Sequence, residues 1–232
     1  MLRIENLEVG YQRDLQILRG VTLEANTGWI TAILGANGVG KSTLLKTVAG
    51  FLKPAAGSIL LDGKELAALE PHELIAEGVA YLPQDSGVVL DMSVEENLLL
   101  GAWTFRRDRA RIQAKLADSF KRFPDLAPKR RQHAGALSGG QRRMVEFARA
   151  LMSDPQVLLI DEPTAGLSLR VSAEVYEMLR GLRAEGRTIL LVDQQIKDAV
   201  KLSDYVYVLD VGKNRREGSA SEFTDLKASF WW

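Results

Sequence analysis

Residues 35–43 read Gly35, Ala36, Asn37, Gly38, Val39, Gly40, Lys41, Ser42 and Thr43. The spacing is G-x-x-x-x-G-K-[ST], and each residue type has a use against a chain of phosphates. Glycines let successive N–H groups turn inward around an anion, and a helix beginning at Lys41 adds positive potential there. The Lys41 ammonium reaches terminal phosphate oxygens, and the Ser42 hydroxyl can ligate Mg²⁺. The loop also sits where such chemistry needs it, after the apolar run WITAIL (29–34) and before KSTLLKTVAGFL.

A second group lies far along the chain. VLLID (157–161) is an apolar run ending in Asp161, with Glu162 next. A strand of this kind delivers carboxylates to the C-terminal edge of a sheet. Asp161 is placed to hold the metal, and Glu162 to polarise an attacking water. Acidic strand ends alone are common on surfaces; beside a phosphate loop they point to phosphoryl chemistry.

A third group opens the segment ALSGGQRRMVEFARALM (136–152). Met144, Phe147, Ala148, Leu151 and Met152 recur at helical spacing. Ser138 with Gln141 three residues later is a capping box. A cap does not require Gly139 and Gly140, whereas a phosphate approaching bare backbone at a helix N-terminus does. The chain thus carries two phosphate-suited helix starts about a hundred residues apart.

The surrounding elements follow an α/β rhythm. Residues 2–27 are strand-rich and GSILLDG (57–63) is a strand between glycines. PHELIAEG is a short helix with Pro71 near its first turn, and VAYLP (79–83) is a strand. Residues 85–153 change character: a Ser93–Glu96 capping box precedes VEENLLLGAW, and RRDRARIQAKLADSFKRF is a charged amphipathic helix. From 157, strands and helices alternate again, which predicts a mainly parallel sheet covered on both faces. The expected divisions are an antiparallel β part (1–27 and 57–63), an α/β core (28–84 and 154–210), an inserted helical part (85–153) and a C-terminal segment (211–232) that ends in Trp231-Trp232.

Composition narrows the setting. The chain has 232 residues, 46% of them hydrophobic, with 30 basic residues against 30 acidic, and no cysteine. No net field recruits nucleic acid, and neither disulfides nor thiolate chemistry is available. No apolar run reaches the ~20 residues that span a bilayer.

The phosphate loop, then LSGGQ (137–141), then VLLIDEP within about twenty residues resembles the nucleotide-binding subunits of ABC transporters, over essentially the whole chain. The resemblance implies a P-loop ATPase core that binds ATP and Mg²⁺ and works as a head-to-tail pair, homo- or heterodimeric. In such a pair the signature helix of one copy (Ser138, Gly139, Gly140, Gln141) completes the ATP site on the other copy's P-loop. It further implies that Tyr11 stacks on adenine, that Gln84 contacts the metal and the water, and that Ser42 and Asp161 serve the metal. The implied partners are transmembrane permease subunits at the cytoplasmic face and an extracytoplasmic solute-binding protein, with no nucleic acid. The apolar loop residues Val88, Val89, Leu90 and Met92 are either a docking groove within 84–105 or core.

The chain departs from the family pattern twice. Ala165-Gly166-Leu167-Ser168 lacks the usual crossing-loop Asp. Gln194 stands where the switch histidine usually is, and the only histidines are His72 and His133. Gln194 can bond a γ-phosphate oxygen but cannot titrate. RFPDL, FARALMSDPQVLLIDEPTAGLS, SVEENLLLGAW and LLVDQQ resemble the ATPases of branched-chain amino acid importers, whose family includes urea and short-amide importers. The YLPQ and RRMVEFARAL stretches also resemble the ATPase of lipopolysaccharide export. A soluble ABC-type ATPase and an ATP-binding scaffold without turnover are the readings from other classes; the single cassette argues against the first and Glu162 against the second.

Overall fold

The computed structural model describes residues 1–12, 15–85 and 87–223. The side chain of Tyr11 and the Trp231-Trp232 end lie outside the described set. The strands are β1 (Leu2–Gln12), β2 (Leu15–Ala25), β3 (Ile30–Leu34), β4 (Ala56–Leu61), β5 (Lys64–Glu65), β6 (Val79–Leu82), β7 (Val157–Asp161), β8 (Thr188–Val192), β9 (Tyr205–Asp210) and β10 (Lys213–Ser219). The helices are α1 (Lys41–Val48), α2 (Pro71–Ala76), α3 (Val94–Leu100), α4 (Arg109–Arg122), α5 (Gly139–Met152), α6 (Leu169–Ala184) and α7 (Ile196–Leu202). Among the described residues no helix is long and apolar enough to cross a membrane.

Two sheets form. One has the order β2-β1-β4-β5 and is antiparallel; the other has the order β10-β9-β3-β8-β7-β6. In the second, every pairing is parallel except that of β10 with β9. The three central strands β3, β7 and β8 are buried at every position. Their unbroken apolar runs follow from cover on both faces. Successive side chains divide between the faces: Leu158, Ile160, Ile189 and Leu191 join one core, and Val157, Leu159, Leu190 and Val192 the other.

The first core continues into the helices of the inserted segment through Leu98, Leu116, Val145, Phe147 and Met152. The second takes in α1 and the antiparallel sheet, through Leu44, Leu45, Leu2, Ile4 and Leu23. Each covering layer is therefore fastened by the same strands that carry the site. The sheet also runs past residue 210, because Lys213–Ser219 adds an antiparallel edge strand. Its polar composition gives little apolar signal, since most of an edge strand like this stays exposed.

Both capping boxes form, at Ser93 with Glu96 and at Ser138 with Gln141. On α5, Phe147, Ala148 and Met152 are buried as their spacing predicts, but Met144 and Leu151 are only partly buried. Val145 and the charged pair Arg143 and Glu146 take the deeper positions. The loop before α3 is pinned by buried Asn97, whose amide donates to the carbonyl of Val89 and whose oxygen accepts from the Val89 N–H, both at 2.9 Å. Val88 enters the core, while Val89 and Leu90 stay exposed.

Candidate functional site

Four adjacent strands bring the candidate residues to one edge of the six-stranded sheet. β3 runs into the 35–43 loop, β8 into Asp193 and Gln194, β7 into Asp161 and Glu162, and β6 into Gln84. The C-terminal edge of a parallel sheet is where open α/β folds hold ligands.

The loop is shaped around its backbone. Gly38 and Gly40 take φ of 83° and 107°, in the left-handed region that favours glycine. At Gly35 an added Cβ would meet the Leu209 carbonyl oxygen at 2.3 Å. Ala36, Asn37 and Gly38 form the exposed crest, while Val39 and Thr43 turn into the protein. Gly40 caps α1 with no side-chain hydrogen bond, which leaves the first N–H groups of the helix without a side-chain acceptor. Lys41 is buried, and its Nζ donates to the carbonyls of Gly35 and Ala36, each at 2.9 Å. Burial lowers its pKa, and the nearby charges of Glu162 and Asp161 work in the opposite sense. An ammonium resting on two carbonyls and, among the described residues, on no carboxylate is suited to a phosphate chain.

Asp161 adjoins the loop. Ser42 Oγ donates to its Oδ1 at 3.1 Å, and the Tyr81 hydroxyl donates to Oδ2 at 3.4 Å. Burial pushes the Asp161 pKa up and the charge of Glu162 adds to this, against the bonds from Ser42 and Tyr81. A buried carboxylate in that condition gains from a cation. Ser42 and Asp161 offer hard oxygen donors and phosphate oxygens can complete the shell, so the residues fit Mg²⁺. Tyr81 was not among the residues the sequence singled out; its only signal is one polar tip inside the apolar strand VAYL.

Glu162 is buried and holds φ of 45°, a strained value for a non-glycine residue. Its N–H donates to the Val192 carbonyl at 2.8 Å, which keeps the bend closed. The Gln194 amide Nε2 donates to Glu162 Oε2 at 2.6 Å. Behind this bond lies a buried network. Asp193 accepts from the Tyr176 hydroxyl at 3.0 Å and from the Gln195 N–H at 2.9 Å. Thr164 Oγ1 lies 3.3 Å from the Tyr176 hydroxyl and accepts from Gln195 Nε2 at 3.2 Å. The loops after β7 and β8 are thereby tied together. Gln84 is exposed and lines a cavity of about 290 Å³ with Glu162 and Gly139.

The start of α5 separates the roles of its two glycines. Ser138 Oγ accepts from the Gln141 N–H at 3.3 Å, and Gln141 Oε1 accepts from the Ser138 N–H at 3.1 Å. A Cβ on Gly140 would lie 3.0 and 3.1 Å from the Val171 methyls, so packing against α6 accounts for that glycine. A Cβ on Gly139 would meet nothing within 4 Å. Among the described residues, the hydrogen bonds of Ser138 and Gln141 stay within this turn, and none reaches residues 35–43. One chain therefore holds two helix starts suited to phosphate without joining them.

The groove beside the site is not lined by residues 88–92. A cavity of about 240 Å³ is bounded by Tyr81, Pro83, Leu100, Trp103, Glu146 and Arg149. A second, of about 450 Å³ and largely apolar, lies beside it and shares Ile75, Tyr81 and Pro83. Exposed Phe51 and Trp103 flank the two.

Comparison with known proteins agrees with this geometry. The ABC transporter family profile matches residues 18–165. A probable branched-chain amino acid transport ATP-binding protein, LivF, from Archaeoglobus fulgidus is 38% identical over 226 residues, covering 97% of this chain and 94% of that protein. The high-affinity branched-chain amino acid transport ATP-binding protein BraG of Pseudomonas aeruginosa is 39% identical over 203 residues, covering 88% and 86%. The crystal structure of a nucleotide-free ATP-binding cassette from an ABC transporter superposes with a TM-score of 0.88 at 30% identity, covering 99% of this chain and 95% of that one. The chain belongs to the ABC transporter family, as one of its ATP-binding and ATP-hydrolysing subunits.

Proposed function

We propose that the chain powers import of branched-chain amino acids, as one of two cassettes docked on transmembrane permeases at the cytoplasmic face and served by an extracytoplasmic solute-binding protein. The names of the two curated relatives support the substrate class. The observation that carries the mechanism is the bare turn at Gly139, which this chain's own packing does not require.

In a head-to-tail pair, Gly35–Thr43 of one copy holds the phosphates of ATP, and Ser138, Gly139, Gly140 and Gln141 of the other approach the γ-phosphate through N–H groups and the helix dipole. Tyr11 stacks on the adenine. Lys41 offsets charge on the β- and γ-phosphates, and Ser42, Asp161 and Gln84 provide oxygen donors to the metal. Mg²⁺, when bound, neutralises charge that develops on the phosphate oxygens. Glu162 accepts a proton from the attacking water, with its carboxylate held by Gln194. Closure brings the two copies together and carries the 85–153 segment, together with the groove at Trp103 and Tyr81, against the permeases.

Uptake of radiolabelled leucine and valine in cells lacking the gene tests the assignment. Uptake is expected to fall and to return with the wild-type chain but not with Glu162→Gln. Leucine uptake that ignores the gene while urea or short-amide uptake follows it would overturn the substrate class.

A further inference from the structure

We propose that Arg143 is a positioning residue for ATP hydrolysis: from the signature helix it holds the segment leading into Gln84 and the segment leaving Glu162 in one fixed relation. This rests on the assignment of Gln84 and Glu162 to the hydrolytic site. Arg143 is 5% exposed. Its Nη1 donates to the Pro83 carbonyl at 2.8 Å, and its Nε donates to the Pro163 carbonyl at 3.0 Å. Its Nη2 lies 3.5 Å from the Asp161 carbonyl oxygen. Pro83 immediately precedes Gln84, and Pro163 immediately follows Glu162. A guanidinium presents its donors in a rigid planar fork, so one group sets the spacing of carbonyls from two loops.

Glu146 secures that fork. It is 3% exposed, and its Oε2 accepts from Arg143 Nη1 at 2.8 Å. Its other oxygen accepts from the Gly87 N–H, and Arg149 Nη1 donates to the Gly87 carbonyl at 2.6 Å. Pro83 and Gly87 are thus each fastened to α5, while Gln84 and Asp85 stay exposed. Fold stability does not call for this arrangement, because apolar side chains of similar volume generally serve as well as a buried ion pair. The three carbonyls give it a geometric purpose. Glu146 and Arg149 also face the cavity that contains Trp103 and Leu100, so an occupant there bears on the group that sets Gln84.

The test is steady-state ATPase kinetics of the purified chain, with MgATP titration and thermal melting alongside. Arg143→Met/Glu146→Leu removes both members of the buried ion pair. Arg149 loses the nearby Glu146 charge but is only half-buried and keeps its bond to the Gly87 carbonyl, so the variant is expected to stay folded, with its melting temperature read alongside. Arg143→Lys keeps the charge but loses the fork. Both variants are expected to bind MgATP within about threefold of wild type, with KM held and kcat lowered by roughly tenfold or more. A folded variant of either kind with wild-type kcat overturns the proposal, as does a raised KM at unchanged kcat. Glu162→Gln is run in parallel: if it retains full turnover, the site assignment itself fails, whereas its arrest with unaffected Arg143 variants removes only the positioning role.

Discussion

The Gln194 side-chain amide donates a 2.6 Å hydrogen bond to the Glu162 carboxylate. The family pattern points Gln194 toward a γ-phosphate oxygen; in this structure its partner is the candidate general base. An amide cannot take up the proton, so it orients the carboxylate without competing as a base. Gln194→Ala is expected to lower kcat by roughly 10- to 100-fold with MgATP affinity nearly unchanged. Gln194→His should retain turnover and add an inflection at about pH 6–7 that the wild type lacks. An alanine variant with wild-type kcat in the assembled transporter would remove the role.

Lys41→Ala should abolish measurable MgATP binding, since the phosphates lose their main cationic partner. The fold should survive, because among the described residues the hydrogen bonds of Lys41 Nζ go to two carbonyls of its own loop. Calorimetric titration decides it: unchanged affinity would refute the loop assignment.

Glu162→Gln should bind MgATP normally and hydrolyse it at least ~100-fold more slowly. The closed pair should then accumulate, visible by size-exclusion chromatography with MgATP. A variant that stays monomeric under those conditions counts against a homodimeric sandwich.

The two signature glycines should respond differently. Gly140→Ala presses on the Val171 methyls and should lower the melting temperature. Gly139→Ala meets nothing within 4 Å, so it should melt at or above wild type while ATP-dependent pairing weakens. Equal effects on melting would contradict the packing of Gly140 against Val171 as the reason that position lacks a side chain.

Asp193 gives a pH prediction. Burial raises its pKa, and Glu162 adds to this against the bonds from Gln195, Tyr176 and Gln194. The folded state therefore binds the proton more tightly than the unfolded chain does. That contribution is fully present below the unfolded pKa and is lost as pH rises through the folded value. Asp193→Asn keeps an acceptor for the Gln195 N–H and carries no charge. It should melt above wild type at pH 8, by about 2–4 °C for each kcal/mol gained in a chain of this size. The gap should close as pH falls toward the ordinary carboxylate range. A gap that widens on acidification would show that burial does not dominate at Asp193.

The sequence by itself determined the parts of the site whose chemistry runs along neighbouring residues. Gly35–Thr43 must be contiguous for its N–H groups to converge, Asp161 must end an apolar strand, and Ser138 must stand three residues before Gln141 to cap α5. Those spacings are properties of single turns and strands, so they could be read without partners. Tertiary structure decided what depends on strand order and on packing between distant segments. Glu162 and Gln194 are 32 residues apart, and Arg143 reaches Pro83 across 60. Arg143 and Glu146 did leave a trace, as opposite charges at i and i+3 on the inner side of an amphipathic helix, but their carbonyl partners did not. Val88 and Val89 are the same residue type side by side, yet Val88 is buried while Val89, held through its backbone by Asn97, faces solvent, and nothing in their local sequence separates them. Local patterns record the chemistry a short segment can perform; which segments meet is decided by the sheet order β3-β8-β7-β6, and that order comes from packing over the whole chain.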